Sequence, residues 1–479
     1  MSHRDTDSRI VAGTNAQEVV AAMRDLLADV DWKGIKFRRD CAWSVPGLVM
    51  AALVWAWSSK LALTDRFSQA MRIVGGLGRR FAPAKTSYQA FMKMLVRWTG
   101  ELRICLVLTF QTRMEREFPK QFRTAGFVIL AADGSKVQLP RTRSNQARYA
   151  PAKTRGKKGK KRRKADRRAR RPQSRKAREQ QSRNKKAESP QMGLTALFHV
   201  ALRLPWEWRL GPSDESEREH LRSMVPHLPP DAIVVADCGF VGYEFWSELL
   251  ASGRHFVIRI GGNVRLLKKL GVVRESNGTV YLWPNHAAKR GQPPLVLRLV
   301  EVHDGRQSWF LVTSVRDPQR LSDKQVAEIY SRRWRIELFF RNFKQTFGRA
   351  KLRSHKGEHA ECEAQWSLLG LWAMLLYAQI QQRRDDGTNR RLSVVRVMKA
   401  FGQAIDEYKS RPEEGESLNE RLSVAEIDSY HRRDKRSRGY PRKKYEAQAK
   451  SPSISKATRA QCQRAKQVTA KRTTKGLTA

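Results

Sequence analysis

The chain has 479 residues and a formal charge of +48, with 29% of its residues charged, enough length for a large core and two to four domains. Five scattered cysteines (Cys41, Cys105, Cys238, Cys362, Cys462) with no C-x-x-C pair exclude a disulfide framework or a zinc finger, and the two most apolar runs, residues 45–57 and 368–380, are too short to span a bilayer. The charge is concentrated, with 19 Lys and Arg against 2 acids in residues 153–186 and 16 against 2 in residues 430–479, so the partner it calls for is a polyanion, nucleic acid above all.

The charged, polar N-terminus predicts no signal peptide and a cytoplasmic protein. Residues 16–118 repeat apolar side chains at helical spacing, and Thr64 and Asp65 start one such helix before Phe67, Met71 and Val74. This helical N-terminal unit, residues 1–120, is either a DNA-end-binding domain or a helical cap on the core; no helix-turn-helix pattern separates the two. At Gly126 the period changes. FVILAAD (127–133) is a continuous apolar run closing on an acid, and GSKVQLP alternates, which predicts a buried strand, a tight turn at Gly134 and a partner strand.

Residues 148–188 then interrupt with no apolar periodicity and read as a disordered basic insertion. Order resumes at Gly193 with the strand LTALFHVALRL, a helix over 213–225, the strand AIVVAD (232–237), a helix over 243–250 and the strand HFVIRI (255–260). These complete the first part of an α/β core, 121–262. Short strands broken by turn residues fill 263–318, a β-rich insertion. The second core part, 319–385, holds the helix YSRRWRIELFFRNFK and an apolar helix over 361–381. A helical segment (386–429, centred on 394–408) and a disordered basic tail (430–479) end the chain.

Three carboxylates stand out. Asp133 and Asp237 each close a buried strand, where a charge is expensive unless it faces a polar site. The predicted strand order lets the first and fourth strands lie side by side, which would bring both acids to one edge. Glu337 belongs to a helix whose Tyr330, Arg333 and Lys344 stand at offsets −7, −4 and +7 from it. At ~100° per residue these four fall within roughly 60° of arc. Arg341 widens the stripe slightly, and Ile329, Ile336, Phe340 and Phe343 border one side, Trp334 and Leu338 the other. One acid among cations between apolar borders describes a helix lining a cleft. Three hard oxygen ligands suit Mg²⁺ or Mn²⁺, and two ions ~4 Å apart can drive in-line phosphoryl displacement.

These residues resemble the DDE transposases of bacterial insertion sequences, in particular the insertion-sequence-four group with its Y-(2)-R-(3)-E-(6)-K signature. Tyr330, Arg333, Glu337 and Lys344 fit that spacing without a gap, and Asp133 in ADGS and Asp237 in ADCGF match the two aspartate boxes. The resemblance covers residues 126–381. It implies an RNase H-like core, a mixed sheet flanked by helices, in which Asp133, Asp237 and Glu337 hold divalent ions. It implies that Tyr330, Arg333 and Lys344 grip DNA phosphates, with Arg341 a possible extension of that grip or a partner of Glu337. It further implies nicking by water, strand transfer by the freed 3′-hydroxyl, terminal inverted repeats and target DNA as partners, a homodimer on paired ends and no membrane.

Relatives stack an aromatic residue of the β insertion on a flipped base, which makes Trp309 and Trp283 candidates against the alternative of core tryptophans. The basic block exceeds what the family needs and reads as non-specific, salt-dependent phosphate contact. Two rival activities remain: a co-opted or inactive DNA-binding protein, and an RNase H-like nuclease or resolvase without strand transfer. His355-Lys-Gly-Glu358-His359 fits H-x-x-E-H but falls within the transposase resemblance, and Cys238 reads as a small buried residue rather than a nucleophile.

Overall fold

The computed structural model describes residues 13–78, 81–83, 86–150, 190–303, 308–383, 391–413, 415–426 and 451–476. The basic block at 153–186 and the first part of the basic tail lie outside them.

Four helices open the chain: α1 (Asn15–Leu27), α2 (Val45–Trp57), α3 (Leu63–Gly75) and α4 (Tyr88–Glu117). Ser44 caps α2 by accepting a hydrogen bond from the Gly47 N–H at 3.1 Å, the usual remedy for an unpaired N–H in the first turn. Residues 47–57 of α2 are all buried, as an all-round apolar helix must be. They pack on the long helix Gly357–Gln381 near the other end of the chain. Trp57 donates its indole N–H to the Gly370 carbonyl at 2.8 Å, and Gly370 is needed there because a side chain would crowd Ala56 and Trp57. Trp366 likewise donates to Thr99 of α4 at 2.9 Å. The N-terminal helices therefore share one hydrophobic core with the sheet domain.

That sheet has ten strands: β1 (Val128–Gln138), β2 (Gln191–His199), β3 (Leu204–Pro212), β4 (Ala232–Ala236), β5 (His255–Ile260), β6 (Arg265–Lys268), β7 (Thr279–Leu282), β8 (Leu295–His303), β9 (Ser308–Thr313) and β10 (Ser453–Lys456). Their spatial order is β10-β6-β7-β8-β9-β5-β4-β1-β2-β3. In the half that matters for function, β1 runs parallel to β4 and β4 to β5, while β2 is antiparallel to both β1 and β3. A 3-2-1-4-5 sheet with one reversed strand, covered by helices, is an RNase H-like core. The strands of residues 263–318 continue the same sheet, because β9 pairs antiparallel with β5.

Three expectations need correction. No turn forms at Gly134: β1 runs unbroken to Gln138, with Gly134 opposite Thr195 of β2. The partner strand comes from beyond the basic block: the run LTALFHVALRL begins as β2, which ends at His199, and β3 follows over Leu204–Pro212, where no strand is expected from the sequence. The tail is not wholly unstructured, since β10 pairs parallel with β6 and leads into the helix Arg459–Gly476. A sheet edge with unpaired backbone groups recruits even a polar segment, and the Ser453 N–H donates to the Val264 carbonyl at 3.0 Å. Among the described residues no helix is long and apolar enough to cross a membrane.

Candidate active site

The register Ala131↔Val235 between β1 and β4 carries Asp133 and Asp237 to equivalent positions. Asp237 follows the end of β4 as expected, whereas Asp133 does not close its strand but lies within the longer β1, just past its last pairing with β4. Asp133 keeps one carboxylate oxygen on the Gly134 N–H at 2.8 Å. Asp237 caps the 3-10 turn Cys238–Phe240 by accepting from the Gly239 N–H at 2.8 Å. That turn swings Cys238 outward, so it is exposed rather than buried as expected.

Glu337 arrives on a helix that is not continuous. Helix α5 (Asp323–Ser331) begins with a reciprocal Ser322–Gln325 capping box. A 3-10 turn, Arg332–Trp334, then tightens the backbone, helix α6 (Arg335–Arg341) carries the glutamate, and a π turn, Asn342–Thr346, widens it again. Wide turns of this kind re-aim side chains inside helices. Here the π turn sets Lys344 on Ser135 of β1, Nζ to Oγ at 2.8 Å. The chain that follows is stitched to the end of the same strand: the Gln138 N–H donates to Ala350 and the Leu352 N–H to Gln138, both at 2.9 Å.

Arg333 joins the acids. One guanidinium nitrogen reaches Glu337 Oε1 at 2.8 Å and the other lies 3.6 Å from Asp133 Oδ2. Burial works against the charge on Arg333, but the Glu337 hydrogen bond and the nearby Tyr330, Asp133 and Glu337 outweigh it and raise its pKa. Tyr330 is buried, lies 5.9 Å beneath the Arg333 guanidinium and packs on Trp309 with ring centroids 5.3 Å apart. Burial chiefly raises the Tyr330 pKa. Trp309 is therefore gathered to the site, whereas Trp283 is a core residue whose indole donates to the Gln292 carbonyl at 2.8 Å. Arg341 is not gathered: it lines a separate cavity, and Arg333 takes the place beside Glu337. Trp334, read as an apolar border, is 57% exposed.

A fourth carboxylate was not legible. Glu217, at the start of the helix Glu217–Met224, lies over Gly134 so closely that any side chain there would collide with it. Burial and then Asp237 raise its pKa, against the pull of Lys136 and His220. Nothing in the string SDESEREH distinguishes it from Glu215 or Glu219.

The Asp133 carboxyl is perturbed by its surroundings. Burial, with smaller additions from Asp237 and Glu337, pushes its carboxyl up to about 6, against the Gly134 N–H and Arg333. An acid whose pKa rises on folding stabilises the fold when protonated, and that stability is lost as pH climbs from about 4 through about 6. Asp133→Asn is therefore expected to stabilise the metal-free protein at pH 7 by up to about 3 kcal/mol and to give no gain below pH 4. Denaturant titrations of both proteins at the two pH values check this; an equal gain at both would refute it.

The donor set fits a hard divalent cation. Asp133, Asp237 and Glu337 offer oxygen atoms only, and the Arg333 guanidinium already bridges Asp133 and Glu337 as a cation would. The fit needs a rearrangement, because among the described residues no three His, Cys, Asp or Glu side chains converge closely enough to hold an ion.

Comparison with known proteins places the chain in a family. The transposase DDE domain family matches residues 124–373. The chain is 28% identical over 203 residues to the transposase InsG for insertion sequence element IS4 of Escherichia coli K12, an alignment covering 40% of this chain and 45% of that protein's length. The chain thus spans less than half the length of that curated relative. A cryo-EM structure of the piggyBac transposase synaptic complex with hairpin DNA aligns over 88% of each chain at 9% identity and a TM-score of 0.38.

Proposed function

The chain belongs to the transposase DDE domain family, and from that premise we propose that it is a DNA transposase of an insertion sequence, one that nicks DNA strands and joins the freed 3′-hydroxyl to a target. The observation that supports this reading is the placement of three acids from distant parts of the chain: Asp133 and Asp237 at equivalent positions on the neighbouring strands β1 and β4, and Glu337 tied to Asp133 through Arg333.

Asp133, Asp237 and Glu337 would hold the metal, Mg²⁺ or Mn²⁺ and two ions in the reading we favour. When bound, such ions activate the attacking oxygen and stabilise the leaving one in an in-line displacement. The protein's own part is electrostatic and positional. Arg333, which bridges Asp133 and Glu337, would offer its guanidinium to a phosphate, a bidentate match. Lys344, held on Ser135 within β1, would take a neighbouring phosphate as a point charge. Tyr330 and Trp309 would form an aromatic wall beside the strand, where a base can stack.

The substrate would be double-stranded DNA, the terminal inverted repeats and a target, bound by a homodimer on paired ends in the bacterial cytoplasm, at the nucleoid. Residues 1–120 would contribute to end binding, and residues 153–186 to salt-dependent phosphate contact.

The Arg333 bridge also supports a second reading, a DNA-binding protein in which the guanidinium permanently fills the ion's place. One assay separates the readings. The protein is incubated with Mg²⁺, a linear DNA bearing the inverted repeats that flank its gene, and a plasmid target. Nicks at the repeat ends followed by joined products are expected. Cleavage without joining would make it a nuclease, and binding without cleavage would overturn the enzymatic reading.

A further inference from the structure

Behind α6, on the side away from Glu337, a cavity of about 360 Å³ opens between the β2–β3 turn, the C-terminal part of the helix Gly357–Gln381 and the start of the helix Val394–Asp406. Four arginines line it: Arg203, Arg335, Arg341 and Arg391. Among the described residues no Asp or Glu does. Gathering like charges around a cavity is unfavourable, and here it is felt. Burial, followed by the charges of Arg203, Arg332 and Arg391, pushes the Arg335 guanidinium down to about 10. Burial and then Arg391 lower the Arg203 pKa too.

Two further features show a built site. Arg203 sits in left-handed backbone at φ 55°, a conformation that disfavours a long side chain and concentrates at functional positions. Arg335 is fixed by donating to the Val200 carbonyl at 2.8 Å, which holds its head at the cavity wall. The rest of the lining is mixed: Gln121, Asn342, Gln379 and Ser393 are polar, while Leu338, Val394 and Val395 are among its accessible apolar side chains and the stacked pair Phe198–Phe339 lies buried behind them.

Guanidinium groups recognise phosphate, and an apolar surface accepts a base. The volume falls in the range of small-ligand pockets, roughly 300–1,000 Å³. We propose that this cavity binds one nucleotide, its phosphate among the four arginines and its base against Leu338, Val394 and Val395. Two sources share that chemistry, a nucleotide extruded from a bound strand and a free nucleoside phosphate. The site is distinct from the carboxylates and stands whether or not the protein cuts DNA. Its occupant would bear directly on α6.

The test is calorimetric binding to the full chain, without metal and at physiological salt, of dAMP and of a short single-stranded oligonucleotide. At least one is expected to bind, and Arg391→Glu is expected to weaken it at least tenfold. Arg341→Glu, an exposed position on another element, is a second variant should the first fail to fold. Lys93→Glu on α4, an equal change of charge far from the cavity, should leave binding within about twofold. Preference for dAMP identifies a free nucleotide as the ligand, and preference for the oligonucleotide identifies an extruded one. Absence of binding by both would overturn the proposal, as would equal loss in Lys93→Glu, since that marks diffuse attraction to a basic protein.

Discussion

Alanine at Asp133, Asp237 or Glu337 is expected to reduce metal-dependent DNA nicking about a thousandfold or more, while DNA binding changes less than about threefold. The first figure corresponds to some 4 kcal/mol of transition-state stabilisation, the scale of what an ion supplies to a reacting phosphate. The second follows because none of the three acids attracts DNA; removing a carboxylate from a basic surface weakens no phosphate contact. The three variants should differ in the metal-free protein. Losing Asp133 removes a buried, poorly solvated charge, whereas losing Glu337 takes the hydrogen-bonding partner from Arg333, itself only 14% exposed. Gel assays of nicking beside filter binding measure both quantities. Retained nicking in any of the three would remove that residue from the catalytic set.

Arg349→Met should destabilise the fold by about 3–5 kcal/mol, the range for removing one member of a buried charged network. Arg349 is buried and donates three hydrogen bonds: to Ser367 Oγ at 2.9 Å, to the Phe347 carbonyl at 2.9 Å and to the Ala56 carbonyl at 2.7 Å. Burial, with the neighbouring Arg66, pushes its pKa down to about 9, against the pull of Glu363. It thus clamps the segment after the Glu337 helix to α2 and to the helix Gly357–Gln381. Methionine fills the volume but leaves the Ala56 carbonyl unpaired, which alone costs about 1–3 kcal/mol. The drop in denaturant midpoint reads the effect, and a loss below about 1 kcal/mol would show that the clamp is dispensable. Nicking should fall along with stability, since the same clamp fixes the end of the π turn that carries Lys344.

Much of the site was legible because it follows from local patterns. A continuous apolar run that ends in Asp marks a buried strand opening on a polar edge, and both FVILAAD and AIVVAD carry that mark. The spacing of Tyr330, Arg333, Glu337 and Lys344 places them together on any helix-like path, so the 3-10 and π turns alter the details without scattering the group. The misreadings share another cause. Gly134 reads as a turn when only its neighbours are considered, but it lies inside β1 beneath the Glu217 carboxylate, more than 80 residues away. Cys238 reads as buried because it follows an apolar strand, yet the capping hydrogen bond of Asp237 turns the chain outward at that point.

The sequence by itself marked Asp133, Asp237 and Glu337 as candidate ligands of a hard divalent ion, and supplied the basic character that points to a polyanion and the alternation of strands and helices that points to an α/β core. Each depends on residue type, on period or on spacing along the chain. Only the tertiary structure decided that the β-rich segment extends the core sheet, that residues 453–456 add a strand to its edge, that Glu217 joins the acids and that Arg333 rather than Arg341 pairs with Glu337. It alone gathered Arg203, Arg335, Arg341 and Arg391 around one cavity. Those outcomes depend on long-range pairing and on which face of a helix meets the core, and residues far apart in sequence carry no local signal that they will meet.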